Sequence, residues 1–140
     1  MSYDRTVTLR GTFDETVAAV RKALADQGFG VLTEIDMQAT LKAKLGHEME
    51  QYLIFGACNP ALARQALEAD PSVGLLLPCN VVVRAADGHV VVQAVDPATM
   101  VALTGLHAME PVAEQATRLL DAALAVLAEE RGGGHSQGPE

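Results

Sequence analysis

The feature that most constrains the fold is an Asp-Gly pair at 87–88 that lies between two valine-rich runs. Residues 79–85 and 89–95 each contain three consecutive valines, which are β-branched. Asp-Gly between such runs is a strong hairpin signal because both turn positions need a positive φ. A two-residue turn here places Val83 opposite Val92. The sequence therefore predicts an antiparallel pair of strands, which excludes a purely parallel sheet.

Signals at helix ends place helices on both sides of this hairpin. Thr12-Phe-Asp-Glu15 has the form of a capping box, and Gly28 is suited to end the helix that follows. Asn-Pro at 59–60 combines a good N-cap residue with a good first helical residue. An amphipathic pattern from 110 to about 131 predicts a long last helix.

The remaining segments complete a predicted order of strand, helix, strand, short helix, strand, helix, hairpin, helix. In the short helix, apolar residues recur every four positions at Met37, Leu41 and Leu45, which predicts a buried face. The order indicates an α+β fold, with an antiparallel-rich sheet of about five strands and helices packed mainly on one face. We expect residues 1–131 to form a single α+β domain. Residues 132–140 have no apolar anchor and predict a disordered C-terminal tail.

Charge and cysteine content exclude several function classes. Ten Lys and Arg stand against eighteen Asp and Glu, for a net charge of −8, which argues against nucleic acid or an anionic membrane as a partner. The sequence has no apolar run of membrane-spanning length and no signal-peptide pattern. Two cysteines among 140 residues are too few for a disulfide framework, so we expect a reduced, cytoplasmic setting.

Four segments resemble the bacterial and archaeal family named domain of unknown function 302. They are residues 28–36 (GFGVLTEID), 39–46 (ATLKAKLG), 55–60 (FGACNP) and 74–83 (GLLLPCNVVV), and the similarity extends over about 3–130. The resemblance implies an α+β fold of the TATA-binding-protein-like class and a homodimer, and it implies no established activity. The two cysteines mark a cysteine-containing subgroup of that family.

The two cysteines are the strongest candidates for chemistry in this sequence. Cys58 ends a predicted central strand directly before a helix start, where backbone N–H groups and the helix dipole favour a thiolate. Cys79 begins a later strand, so antiparallel pairing of the two strands would bring both sulfurs to one end of the sheet. Asn59 and Asn80 follow the cysteines and add polar amides. These four residues form a candidate ligand site, and a soft metal ion or a reduced sulfur species would suit the two thiols.

Three functions remain open on this evidence. The first is a small binding module that holds such a ligand at Cys58 and Cys79. The second is a thiol-dependent redox or sulfur-transfer enzyme with Cys58 as the nucleophile. The third is a structural or interaction domain with inert, buried cysteines, which the shared side of Cys79, Val81 and Val83 favours. No nucleotide-binding loop, His-Glu-x-x-His pattern or serine elbow occurs, so the sequence names no cofactor.

Overall fold

The computed structural model describes residues 3–137, with side chains as far as Gly132. The strands are β1 (Asp4–Leu9), β2 (Gly30–Asp36), β3 (Tyr52–Cys58), β4 (Cys79–Ala86), β5 (His89–Val95) and β6 (Gly132–Gln137). The helices are α1 (Phe13–Asp26), α2 (Met37–Leu45), α3 (Pro60–Ala69), α4 (Ala98–Thr104) and α5 (Glu110–Arg131), with short 3-10 helices at Pro71–Leu76 and His107–Met109.

The strands form one antiparallel sheet in the order β2-β3-β4-β5-β1-β6. This arrangement confirms the predicted α+β fold. The hairpin has the expected register, with Val83 opposite Val92. Asp87 and Gly88 take φ values of 49° and 80°, the positive values that a two-residue hairpin turn requires.

Local capping signals fix where α1 and α3 begin. The Thr12 side chain accepts a hydrogen bond from the Glu15 backbone N–H at 3.1 Å, and the Glu15 carboxylate accepts one from the Thr12 N–H at 3.3 Å. Hydrogen bonds to the Glu15 carboxylate, first from the Thr12 backbone N–H and then from the Thr12 side chain, lower the pKa of Glu15, since they favour its charged form. Asn59 Oδ1 accepts from the Leu62 N–H at 3.2 Å, and Pro60 is the first residue of α3. Both helix starts agree with the sequence patterns.

The main hydrophobic core lies between the sheet and helices α1 and α5. The sheet contributes fully buried residues from its central strands, and each helix contributes one apolar stripe. The largest of these side chains are Leu9, Phe55, Val81, Val83, Val92, Val20, Leu120 and Leu127. A second, smaller cluster joins α3, α4 and the start of α5 through Ala66, Val73, Met100, Met109 and Val112. Among the described helices, none is both long and apolar enough to cross a membrane.

Helix α2 has the predicted bounds but not the predicted buried face. It ends at Gly46, whose φ is 65°, as the sequence indicated. None of its residues is buried, and the side chain of Leu45 is 76% exposed. The expectation of a buried stripe was therefore wrong. The reason is that α1 and α5 already cover the apolar face of the sheet, so α2 joins neither hydrophobic cluster.

The segment after α5 also differs from the predicted tail. Gly132–Gln137 forms β6, which pairs antiparallel with β1 and brings Gly132 opposite Leu9. Edge pairing uses backbone N–H and C=O groups and needs no apolar side chain, which is why the hydropathy pattern did not predict it. The rest of the expected tail, residues 138–140, lies outside the described part of the chain.

Candidate functional site

Antiparallel pairing of β3 with β4 brings the two cysteines to the same end of the sheet. The register sets Cys79 opposite Ala57, which is the residue before Cys58. Both cysteines are free and half-buried. The sheet therefore brings together two cysteines that lie 21 positions apart in the chain, but strand alternation directs the side chain of Cys58 to the face of β3 opposite that of Ala57 and Cys79.

Both cysteines line one small cavity where the end of the sheet meets three helices. The volume of this thiol cavity is about 30 Å³, enough for one ion or a water molecule but not for an organic substrate. Asn59 also lines it, and the rest of its wall is mainly apolar. The helices contribute Leu62, Ala63 and Ala66 from α3, Met100 from α4, and Val112, Ala113 and Ala116 from α5.

Small residues on the facing helices leave room for this cavity. Ala63 and Ala66 are three positions apart on α3, and Ala113 and Ala116 have the same spacing on α5. Residues at this spacing lie on one face of a helix. Sequence reasoning missed all four, since alanine is ordinary in a helix and carries no chemistry. The repeated Ala-x-x-Ala spacing is the signal that could have found them.

Close packing against Gly56 positions Pro78, the residue directly before β4. A Cβ atom at Gly56 would lie 2.7 Å from Pro78 Cγ and closer still to Thr33 Oγ1, so a side chain does not fit there. Pro78 therefore lies close against β3, immediately before Cys79. This contact holds the start of β4 beside the end of β3.

The surroundings of Cys58 combine a strand end with a helix start. Cys58 is the last residue of β3, and Asn59 caps α3 directly after it. Asn59 uses its carbonyl oxygen in that cap, so its first role is to form the helix. The first backbone N–H groups of a helix and its dipole favour a nearby negative charge. A negatively charged group bound at this end of α3 would therefore be favoured by the helix start.

Cys79 has a different electrostatic environment. Burial raises the pKa of the Cys79 thiol, and the nearby charge of Cys58 raises it further. Cys79 is therefore a neutral thiol at pH 7 and a poor nucleophile. A ligand that binds its sulfur must displace the proton.

The structure separates Asn80 from the other three candidate residues. Asn80 is exposed and lines a larger neighbouring groove of about 270 Å³, not the thiol cavity. Leu75 and Leu103, also exposed, lie along this groove. Cys79 contributes to both spaces. The sequence argument placed Asn80 beside the sulfur, but the alternation of side chains along β4 directs consecutive residues to opposite faces.

The described side chains do not support a metal site built from histidine or carboxylate ligands. Among them, no group of three or more His, Cys, Asp and Glu residues converges on one point. His107 lies 3.1 Å from Glu110, but its side chain is 97% exposed. Histidine and carboxylate groups among the described side chains therefore add no metal-ligand cluster to the candidate site.

Comparison with known proteins agrees with this fold. The sequence matches the family described as "Domain of unknown function DUF302" over residues 5–127. A solved structure, the crystal structure of uncharacterized conserved protein DUF302 from Bacillus stearothermophilus, is 26% identical, with a TM-score of 0.85. The alignment covers 91% of this chain and 99% of that one. No curated protein matches the chain significantly.

The family match spans nearly all of the elements described above, from β1 to the end portion of α5. The alignment includes almost the full length of the similar structure, so the likeness concerns the whole fold and not one motif. On this evidence the chain belongs to the DUF302 family.

Proposed function

We propose that this chain is a small binding module that holds one soft metal ion between the thiols of Cys58 and Cys79. Cu(I) is the ion that fits best. The observation that carries the proposal is the single cavity of about 30 Å³ that both cysteines line. Both cysteines are among the residues that line this one space, which makes it the place where one ion could reach them both.

The available ligands favour a soft ion over a harder one. Thiolate sulfur suits Cu(I), zinc and iron–sulfur clusters. Zinc in structural sites almost always takes four protein ligands, and the described side chains offer no converging set of three His, Cys, Asp or Glu residues. Cu(I) forms stable complexes with two thiolates. A cysteine pair without further charged or imidazole ligands therefore supports Cu(I).

Charge balance determines how the ion binds. Each thiol loses its proton as its sulfur bonds the metal, so Cu(I) and two neutral thiols give an anionic bis-thiolate complex and two released protons. The start of α3, directly after Cys58, favours that negative charge. Because the pKa of Cys79 is raised, protons compete with the metal at neutral pH. Affinity for Cu(I) should therefore increase as the pH rises.

The test is an anaerobic titration of the reduced chain with Cu(I) buffered by bicinchoninate. We expect one ion per chain and protection of both thiols from a thiol reagent. Cys58→Ser and Cys79→Ser should each lower the affinity at least about tenfold, the lower end of the usual loss when a metal site is weakened. Asn80→Ser is the matched control, since Asn80 lies outside the cavity, and it should bind Cu(I) like the wild type.

Two results would overturn the proposal. One is a wild-type chain that binds Cu(I) no better than the Cys58→Ser/Cys79→Ser double variant. The other is a purified chain whose intact mass shows one added sulfur atom and that fails to bind Cu(I). The ligand would then be a reduced sulfur species and not a metal ion.

A further inference from the structure

We infer that the thioether of Met100 is a third sulfur ligand for the ion held by Cys58 and Cys79. The inference rests on the proposed function. Met100 is buried, with 7% of its surface exposed, and it is one of the residues that line the same cavity as both cysteines. Thioether sulfur is a soft, uncharged donor, and soft thiolate and thioether ligands together favour Cu(I).

The small volume of the cavity supports contact between the ion and Met100. A space of about 30 Å³ holds roughly one water-sized particle, so an ion in it lies close to the residues that line it. Among the residues that line the cavity, Cys58, Cys79 and Met100 are the sulfur-bearing ones. Most of the other lining residues are alanine, leucine, valine, proline or phenylalanine, which offer the ion no side-chain donor.

The backbone of Met100 is held firmly where the thioether is needed. Its N–H donates to the Pro97 carbonyl at 3.0 Å, and its own carbonyl accepts from Thr104 Oγ1 at 2.8 Å. Its side chain packs in the same hydrophobic cluster as Ala66 and Val112. Methionine remains flexible within such a setting, since it has three rotatable side-chain bonds. The thioether can therefore adjust to an ion without movement of α4.

Met100 also lies on the route by which an ion would enter. Met100 and Cys79 line both the thiol cavity and the groove of about 270 Å³, whereas Cys58 lines only the cavity. An ion that arrives through the groove meets Met100 and Cys79 first. The thioether carries no proton, so binding to it requires no deprotonation. Transfer to Cys58 then completes the site.

The first test compares Met100→Leu with Met109→Leu. Both methionines are buried in the same hydrophobic cluster, but Met109 does not line the cavity, and leucine nearly conserves the volume. We expect Met100→Leu to lower the Cu(I) affinity about tenfold or more, by analogy with the loss of a supporting group at other metal sites. The loss should be similar at every pH, because a thioether does not titrate. Met109→Leu should bind like the wild type.

A second metal separates ligation from packing. Hg(II) is satisfied by two thiolates, so Met100→Leu should retain its affinity for Hg(II) while it loses affinity for Cu(I). Equal losses for both metals would mean that the substitution only disturbs the cysteines, and the inference would be overturned. Unchanged affinity for Cu(I) would overturn it as well.

A spectroscopic measurement needs no variant to remain folded. In the wild-type chain labelled with selenomethionine and loaded with Cu(I), X-ray absorption at the selenium edge should detect copper next to selenium. Absence of that signal in a chain that binds one Cu(I) would refute ligation by Met100 but leave the cysteine site intact. A chain that binds no Cu(I) would instead refute the proposed function itself.

Discussion

The ionisation of Cys79 depends on two neighbours of different kinds. Burial in an apolar wall is the larger cause of its raised pKa, and the negative charge of Cys58 is the smaller one. Ser at position 58 removes only the charge. We therefore expect Cys79 in Cys58→Ser to ionise at a lower pH than in the wild type, yet still above the ordinary value for cysteine.

The pH dependence of alkylation measures this shift. Iodoacetamide reacts with the thiolate, so the rate at Cys79 follows its ionisation; a quenched time course read by mass spectrometry separates the two cysteines in the wild type. Met109→Leu serves as a control, since it alters the packing near α4 without changing the charge at position 58. A curve for Cys58→Ser that is unchanged, or displaced to higher pH, would contradict the assignment of Cys58 as a source of the shift.

At the scale of elements, the sequence correctly predicted the helix starts and the hairpin turn, which depend on local contacts. The capping box of Thr12 and Glu15 and the turn at 87–88 act within four residues or fewer, so each signal is complete in a short stretch of sequence. The exposure of α2 and the pairing of β6 depend on which elements already cover the sheet. Hydropathy along one segment does not contain that information, and both expectations differed from the structure for this reason.

An ion pair joins β1 to α5, two elements more than a hundred positions apart. Arg5 Nε donates to Asp121 Oδ1 at 2.5 Å and Arg5 Nη2 to Asp121 Oδ2 at 2.8 Å, while Asp96 lies 3.5 Å from the same guanidinium. The Asp121 hydrogen bond raises the pKa of Arg5, so the arginine remains charged. Two parallel hydrogen bonds add directional strength to the charge attraction. This pair therefore adds a directional contact between β1 and α5 to the burial of the apolar face of α5.

A double-mutant cycle should measure its strength. We expect Arg5→Ala and Asp121→Ala, singly and together, to give a coupling of about 1 kcal/mol or more in the free energy of unfolding by urea. The matched control is the Lys22–Asp26 pair, whose side chains are 77% and 58% exposed; its coupling should stay below about 0.5 kcal/mol. Equal couplings for the two pairs would show that the paired geometry at Arg5 adds nothing.

At the scale of the whole molecule, the candidate site illustrates what sequence reasoning cannot reach. Cys58 and Cys79 could be identified as a pair because a strand, a helix and a returning strand are a local pattern. The cavity that both cysteines line is also formed by Met100 from α4 and alanines from α5, which lie in the last third of the chain. Only the packed fold shows that a third sulfur-bearing residue shares the space.

The edge of the sheet at β2 is where we expect two copies of the chain to associate. The homodimer is a prediction from the family resemblance, and β2 occupies one end of the strand order, with edge backbone groups suited to pairing. Leu32 and Ile35 are exposed on β2, at 66% and 45%, and Leu45 at the end of the following helix α2 is 76% exposed. Leu32→Asp and Leu45→Asp should therefore weaken the dimer. Leu103→Asp, at a leucine of similar exposure (71%) on α4, should not.

Net charge sets how this association depends on salt. Each chain carries −8, so two copies repel one another, and salt screens that repulsion over a Debye length of about 8 Å at roughly 0.15 M. Since burial of apolar side chains is the attractive part, the dimer should become tighter as sodium chloride is raised from low concentration. Sedimentation equilibrium at several salt and protein concentrations measures the dissociation constant directly. A chain that stays monomeric throughout, or a dimer that salt dissociates, would show that exposed apolar residues at β2 and α2 do not hold two copies together.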